Sequence, residues 1–231
     1  MFNHIGITGK SRDQQLGTLL ERLWAHLEGR IGELTLDDVP PSGWGPRPVT
    51  FTARGQAEAD AFEMWSPEDN PRLRCEPTSI IFDWTFDWPI NRIVQKTDDN
   101  GARVIDIDYG LYSFNRRIYV GMDSHPADLE PSYAGHSIGR WDGDTLVVDT
   151  TGFAAGVLVP PTRNSEQLHV VERFTLNPES RELLHEYTVT DPVYLAQPYT
   201  GQDIVLVSQT PFEVHPCEEL TYEFIEEGAA D

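Results

Sequence analysis

The sequence predicts a mainly β protein, built as an eight-stranded antiparallel barrel of up-and-down or lipocalin-like type with N-terminal helices. Three observations support this fold class. Short segments from about residue 90 onward alternate apolar and polar side chains with the period of two that strands require. Asp142-Gly143 stands between two such segments, and Asp-Gly supplies the positive φ angles of a tight hairpin. Asp98–Gly101 and Asn177–Ser180 are further turn sequences. A β-sandwich is the alternative.

The N-terminal part of the chain predicts helices and a linker. Leu16, Leu20, Leu23 and Leu27 form one apolar stripe in a helix over 11–28, which Ser11 caps and Gly29 ends. A Pro- and Gly-rich linker follows at 39–48, and a second helix is expected over 53–65. We therefore divide the chain into an N-terminal helix and linker (1–48) and a β-barrel domain (49–231). The helix over 11–28 either docks on the barrel or forms a homodimer contact.

Eight strands are expected in the barrel domain. Their ranges are 90–96, 103–109, 116–121, 137–141, 145–151, 167–176, 182–190 and 203–209. The connections 122–135 and 152–165 are long for hairpins, and long loops beside a barrel mouth commonly carry functional side chains.

Composition excludes several partners. The net charge is −21, from 38 acidic and 17 basic residues, and a field of this sign repels nucleic acid and anionic membranes. The chain has no apolar run of about 18 residues, so no membrane-spanning helix is expected. The first fifteen residues lack the basic and apolar regions of a secretory signal, which predicts a cytoplasmic protein. A small hydrophobic or aromatic molecule remains as the expected partner.

The two cysteines, Cys75 and Cys217, lie far apart in the sequence. They lack the C-x-x-C spacing of a zinc site built on thiolates. In the cytosol two buried free thiols are expected, whereas an oxidising compartment would allow a long-range disulfide.

Alternation along two neighbouring strands brings three polar side chains to an apolar face. Glu172 interrupts the face formed by Leu168, Val170, Phe174 and Leu176. A carboxylate there is either a general acid or base with a raised pKa or a structural partner for an inward arginine or tyrosine. On the next strand His185 and Tyr187 share the apolar face, and the short hairpin brings them near Glu172.

Further candidate residues surround the Asp-Gly hairpin. His136 lies where the loop 122–135 enters a strand, and Tyr133 precedes it on that loop. Ser137 superficially fits G-x-S-x-G, but it precedes a strand and not the helix that a nucleophile elbow requires. Of Arg116 and Arg117, alternation sends one inward, and either Tyr187 or Arg117 is expected to stabilise a developing oxyanion.

The expected catalytic residues are therefore Glu172, His136, His185, Tyr187 and Arg117. The expected substrate-binding residues are Tyr119, Trp141, Asp149, His169, Phe174 and Tyr133.

A metal site is not expected. Near His125, the acidic residues Asp123, Asp128 and Glu130 match no compact ligand motif. His125-Pro126 is more simply an ordered loop. A site that combines His125, His136, His169 or His215 with carboxylates remains an alternative.

The segment Arg116–Phe174 resembles a family of bacterial proteins. That family shares R-R-I-Y, then H-P-x-D-L-x-P-x-x-x-G-x-S-x-G-x-W-x-G-D-T-L-V-V-D-T-x-G-F, and later H-V-V-E-R-F. The match extends more loosely from Gln56 through Cys75 to Cys217. The resemblance implies kinship without a shared activity, and it makes a periplasmic location the alternative because members are often exported. It also implies that these are motif positions: Arg117, His125, His136, Trp141, Asp144, Asp149, His169 and Glu172.

Taken together, the sequence favours a cofactor-independent lyase, dehydratase or isomerase. It would use general acid–base chemistry on a hydrophobic, aromatic small molecule in the barrel cavity. A non-catalytic carrier of an apolar ligand is the first alternative. A metal-dependent hydrolase or oxygenase is the second.

Overall fold

The computed structural model of the chain describes residues 32–38, 48–84 and 91–217 and is mainly β. The strands are β1 Gly32–Asp38, β2 Asn91–Thr97, β3 Arg103–Asp108, β4 Asn115–Val120, β5 His136–Asp142, β6 Thr145–Thr151, β7 Gly156–Val159, β8 Thr162–Asn164, β9 His169–Asn177, β10 Glu182–Thr190 and β11 Tyr199–Val207. The helices are α1 Ala53–Asp60 and a single 3₁₀ turn over Pro71–Arg74.

Eight of these strands form a curled sheet in the order β11-β10-β9-β6-β5-β4-β3-β2, and β1 pairs with both end strands to close it into a barrel. The predicted barrel and its eight expected strands are thereby confirmed. The expectation that every pair is antiparallel is wrong, because β4 and β5 run parallel. A closed ring of nine strands cannot alternate direction throughout, so at least one parallel pair is a geometric necessity.

Three strands lie where the sequence predicts none. β1 falls inside the segment 1–48, for which only a helix and a linker are expected. β7 and β8 form a small separate hairpin within the loop 152–165. With four and three residues, β7 and β8 are too short for the alternation of side chains to be recognised.

Of the two expected N-terminal helices, only the second falls within the described residues. The helix over 11–28 lies outside the described residues. The second helix begins where predicted, because the Thr52 side chain accepts a hydrogen bond from the Gly55 N–H at 3.0 Å, but it ends at Asp60 and not at residue 65. In the described ranges no helix has the length and apolar character that crossing a membrane requires.

Alternation places one face of β9 and β10 in the barrel interior. Val170, Glu172 and Phe174 on β9 are buried, as are His185 and Tyr187 on β10. Glu172 and Tyr187 are direct cross-strand neighbours. The inward positions predicted for Glu172, His185 and Tyr187 are therefore correct. They join a core to which β3, β4, β6, β7, β11 and Trp84 also contribute.

Cys75 and Cys217 form a disulfide, so the expectation of two buried free thiols is wrong. Cys75 is half-buried and Cys217 is exposed. The bond fastens the segment after β11 to the turn that follows the 3₁₀ helix. The same segment is held by a hydrogen bond from the His215 N–H to the Gly110 carbonyl at 2.7 Å.

Candidate functional site

Four side chains meet on the outer face of the barrel in what we call the histidine–aspartate cluster: His125, His136, Asp149 and His169. The Nδ1 atoms of His125 and His136 lie 2.8 Å apart. His125 Nε2 lies 2.9 Å from Asp149 Oδ1, and His169 Nε2 lies 3.0 Å from Asp149 Oδ2. The Asp149 carboxylate therefore accepts hydrogen bonds from two imidazoles, those of His125 and His169. The His125 imidazole is also hydrogen-bonded to that of His136.

Three adjacent strands and one loop supply these side chains. His136 on β5, Asp149 on β6 and His169 on β9 all point outward, since their neighbours Ser137, Thr150 and Val170 fill the interior. His125 comes from the connection between the parallel strands β4 and β5. That connection must run back along the barrel before β5 begins, and this return brings His125 over the sheet.

Gly135 allows the chain to enter β5 at this point. Its φ is +63°, a conformation that residues with a side chain rarely adopt. A Cβ atom at this position would lie 2.7 Å from the Thr151 carbonyl oxygen, closer than real Cβ contacts. Glycine is thus needed both for the turn and for the close approach of the loop to β6.

The hydrogen bonds restrict the protonation states of the cluster. Burial raises the pKa of Asp149, but the hydrogen bonds from His125 and His169 have the larger combined effect and lower it below its ordinary value. The carboxyl is therefore ionised. An ionised carboxylate only accepts, so His125 donates from Nε2 and, when neutral, accepts at Nδ1. His136 then donates from its own Nδ1. Burial, together with the nearby His125, lowers the pKa of His136 from 6.5.

The resulting chain leaves His136 Nε2 as a lone-pair acceptor at the end of a relay. Histidines that act as general bases commonly have this arrangement, in which one ring nitrogen is held by a hydrogen-bonded partner and the other accepts the proton. The His136 ring also stacks on Tyr119, with ring centroids 5.2 Å apart and planes inclined by 14°. Tyr133, 46% exposed, lies on the same loop as His125.

The cluster is arranged for hydrogen bonding and not for metal coordination. His125 directs one ring nitrogen to His136 and the other to Asp149, so its two nitrogens face opposite partners. Within the described ranges, no group of three or more His, Cys, Asp or Glu side chains could hold a metal ion.

A second polar cluster lies inside the barrel, and Arg116 and Glu172 are its centre. Arg116 Nη1 donates to Glu172 Oε1 at 3.0 Å, and Nη2 makes a second ion-pair contact with Oε2. Arg116 also donates to the hydroxyls of Ser137 and Thr150, each at 3.1 Å. His185 Nε2 lies 3.0 Å from Glu172 Oε1. We call these five residues the buried ion cluster.

The electrostatics of Glu172 decide between its two predicted roles. Burial raises the pKa of this carboxyl, but the charge of Arg116 and the hydrogen bond from His185 lower it more, to about 2. Burial lowers the pKa of Arg116, but the charge of Glu172 raises it, and the net effect is a raised pKa. Both groups stay charged at neutral pH and neither is exposed. Glu172 is therefore the structural partner of an inward arginine, and the expected raised pKa is wrong.

The predicted site residues divide between the two faces of the barrel. Glu172, His185, Tyr187 and Phe174 lie inside, and His185 stacks on Phe174 with centroids 4.5 Å apart. Trp141 packs against the core. The remaining predicted residues lie outside or on the loop: His136, Asp149, His169, Tyr119, Tyr133 and Arg117. The expectation that His136 meets Glu172 and His185 in one cavity is therefore wrong. Successive side chains of a strand face opposite sides of the sheet, and His136 occupies an outward position on its strand.

The structure also corrects the assignment of Arg117. Its guanidinium is exposed and donates to both oxygens of Asp106, at 2.7 and 2.9 Å. Arg116 is the inward arginine. The sequence held a signal for this choice, since Arg116 shares its strand face with the apolar residues Ile118 and Val120.

His125 is a candidate functional residue that was not among the catalytic or substrate-binding residues expected from the sequence, because His125-Pro126 was interpreted as part of an ordered loop. Its place in the cluster depends on how the β4–β5 connection folds back, which no local pattern in the sequence reports. Two signals pointed to His125: its position in the motif that resembles a bacterial family, and the alternative site that combines histidines with carboxylates.

Comparisons of the chain with protein-family models, with curated proteins and with solved structures find no significant match.

Proposed function

We propose that the protein is an enzyme that transfers protons to and from a small organic molecule at the histidine–aspartate cluster. The reaction is an isomerisation, a dehydration or a related elimination. The observation that carries the proposal is the chain from His136 through His125 to the ionised Asp149. Such a chain orients one neutral imidazole as a base and stabilises the charge that it gains.

In the proposed reaction, His136 Nε2 removes a proton from a carbon atom of the substrate. The positive charge that develops on His136 is stabilised through His125 by the Asp149 carboxylate. His169, the other imidazole that contacts Asp149, donates a proton to another carbon in an isomerisation, or to a departing oxygen in a dehydration. Both imidazoles belong to the same face of the sheet, so both proton transfers take place on one face of the substrate. Its reacting end is apolar or aromatic, since the Tyr119 ring stacks on His136 at this site.

Exchange of substrate hydrogen for deuterium tests the proposal without knowledge of the overall reaction. The protein is incubated in D₂O with neutral aromatic ketones that carry an acidic C–H bond, and loss of the C–H signal is followed by NMR. We expect catalysed exchange that His136→Asn reduces by about 10²- to 10⁴-fold, the usual contribution of a general base. His215→Asn is the matched control, because His215 is exposed and lies outside the cluster.

Two results would contradict the proposal. One is exchange that is absent in the wild type or unchanged in His136→Asn. The other is tight binding of a ketone with no exchange, which would instead support the carrier of an apolar ligand.

The pH dependence of exchange follows from the lowered pKa of His136. Neutral His136 is the active form, so activity is present above its pKa and lost as the pH falls through it. Burial and the nearby His125 lower this pKa, so we expect the acid limb of the rate profile below pH 6.5. NMR titration of the His136 ring protons checks the assignment. An acid limb above pH 6.5 would exclude His136 as the base.

A further inference from the structure

An open depression of about 450 Å³ lies on the outer face of β9, β10 and β11. The strand register explains its shape. Val171, Thr188 and Thr200 are cross-strand neighbours with short outward side chains, and they form the floor. The next outward row, Arg173, Glu186 and Gln202, has long side chains and forms one wall. A row of short side chains beside a row of long ones leaves a trough that runs across the strands.

This trough leads directly to the histidine–aspartate cluster. Asp149 is the cross-strand neighbour of Val171, so the floor row continues into the carboxylate that both His125 and His169 contact. Adjacent strands lie about 4.8 Å apart, so the row from Asp149 to Thr200 spans about 14 Å. A molecule lying along the floor would have one end beside the proposed bases.

The side chains of the trough are mainly hydrogen-bonding groups. Thr188 and Thr200 carry hydroxyls, and the wall presents a guanidinium, a carboxylate and a carboxamide. Arg173 uses one nitrogen of its guanidinium to contact Asp142 at 3.3 Å. The charges of Arg173 and Glu186 offset one another, and a net charge of −21 disfavours an anionic ligand. These side chains offer both hydrogen-bond donors and hydrogen-bond acceptors at regular spacing, and a ligand with several hydroxyl groups could pair with both.

We propose that the trough is the binding site for the distal part of the substrate, and that this part is an elongated, uncharged, polyhydroxylated group of about disaccharide size. The assignment of this group to a substrate rests on the proposed function. The binding site itself stands on the register and the side chains of β9–β11.

Binding of cellobiose, as a neutral polyhydroxylated probe, tests this inference. In NMR titrations we expect shifts of the Thr188 and Thr200 amide signals, with weaker or no shifts for a carboxylate-bearing disaccharide and for biphenyl. Thr188→Trp fills the floor and is expected to weaken binding about tenfold or more, which corresponds to about 1.4 kcal/mol. Thr97→Trp is the matched control, since Thr97 is exposed on β2, away from the trough. Glu186→Ala, a smaller change in the wall, should also weaken binding.

Three results would overturn the inference: no shifts at millimolar cellobiose, shifts located elsewhere, or stronger binding of either control probe. The His136→Asn variant separates this inference from the proposed function. If that variant binds cellobiose as the wild type does while neither protein catalyses exchange, the trough stands and the proposed function fails. If exchange occurs without cellobiose binding, the trough alone is excluded.

Discussion

Replacing Glu172 with alanine is expected to lower the free energy of unfolding by about 3 to 5 kcal/mol, because Arg116 would remain charged inside the barrel without its partner. Arg116 and Glu172 are almost completely shielded from water. The variant would also remove the hydrogen-bond acceptor of His185. Urea unfolding followed by circular dichroism measures the change. We expect Glu172→Gln to be destabilising as well, since an amide keeps the shape of the side chain but not its charge.

The surface pair Arg117–Asp106 provides the matched control on the same strand. Arg117 is exposed, and pairs of this kind contribute about 1 kcal/mol or less. Arg117→Ala should therefore cost far less than Glu172→Ala, and it leaves the Asp106 carboxylate paired with Lys96. If the two variants lost similar amounts of stability, the buried pair would not have the role that we assign to it.

The lowered pKa of Glu172 also implies that the free energy of unfolding depends on pH in the acidic range. A carboxyl whose pKa is lower in the folded state contributes stability that is present above its unfolded pKa, near 4.5, and that is lost as the pH falls toward about 2. The wild type should lose this part of its stability over that range. Glu172→Ala should lack it, and its unfolding free energy should therefore depend less on pH there.

Removing the disulfide is the second change with a large expected effect. The double variant Cys75→Ser, Cys217→Ser should unfold with a free energy lower by about 2 to 5 kcal/mol, because the bond closes a long loop and restricts the unfolded chain. The two cysteines are 142 positions apart. Chemical unfolding of the double variant and of the oxidised wild type measures the difference.

Reduction of the wild type is the control for this prediction. Reduced and alkylated protein, with mass spectrometry to confirm both thiols, should be destabilised to a similar degree as the serine variant. An unchanged unfolding midpoint in both would contradict the stabilising role of the bond. The remaining hydrogen bond from His215 to Gly110 would then be enough to hold the segment.

The residues of β9 and β10 show why much of this fold can be read from the sequence. Successive side chains of a strand point to opposite faces, so the apolar positions around Glu172 and His185 predict the inward face without knowledge of the neighbours. The short turn between these two strands then brings both residues together. Prediction of the eight main strands succeeds for the same reason: period-two alternation and turn residues are local properties of the chain.

The candidate site depends on contacts that are not local. His125 reaches His136 and Asp149 only because β4 and β5 pair in parallel and their connection returns over the outer face. The sequence indicated that His136 lies where a strand begins, but not which side of the barrel its side chain faces. For Arg116 and Arg117 the alternation was likewise clear, and the inward side was assigned wrongly.

Local sequence patterns are thus sufficient to predict the β class, the main strands, the Asp-Gly hairpin and the inward position of Glu172, because each depends on spacing within a short segment. The tertiary structure was needed to show that Glu172 is an ionised partner of Arg116, that His125, His136 and His169 gather outside the barrel, and that Cys75 bonds to Cys217. These features depend on which distant segments become neighbours, and strand order, loop path and burial set that choice when the whole chain folds.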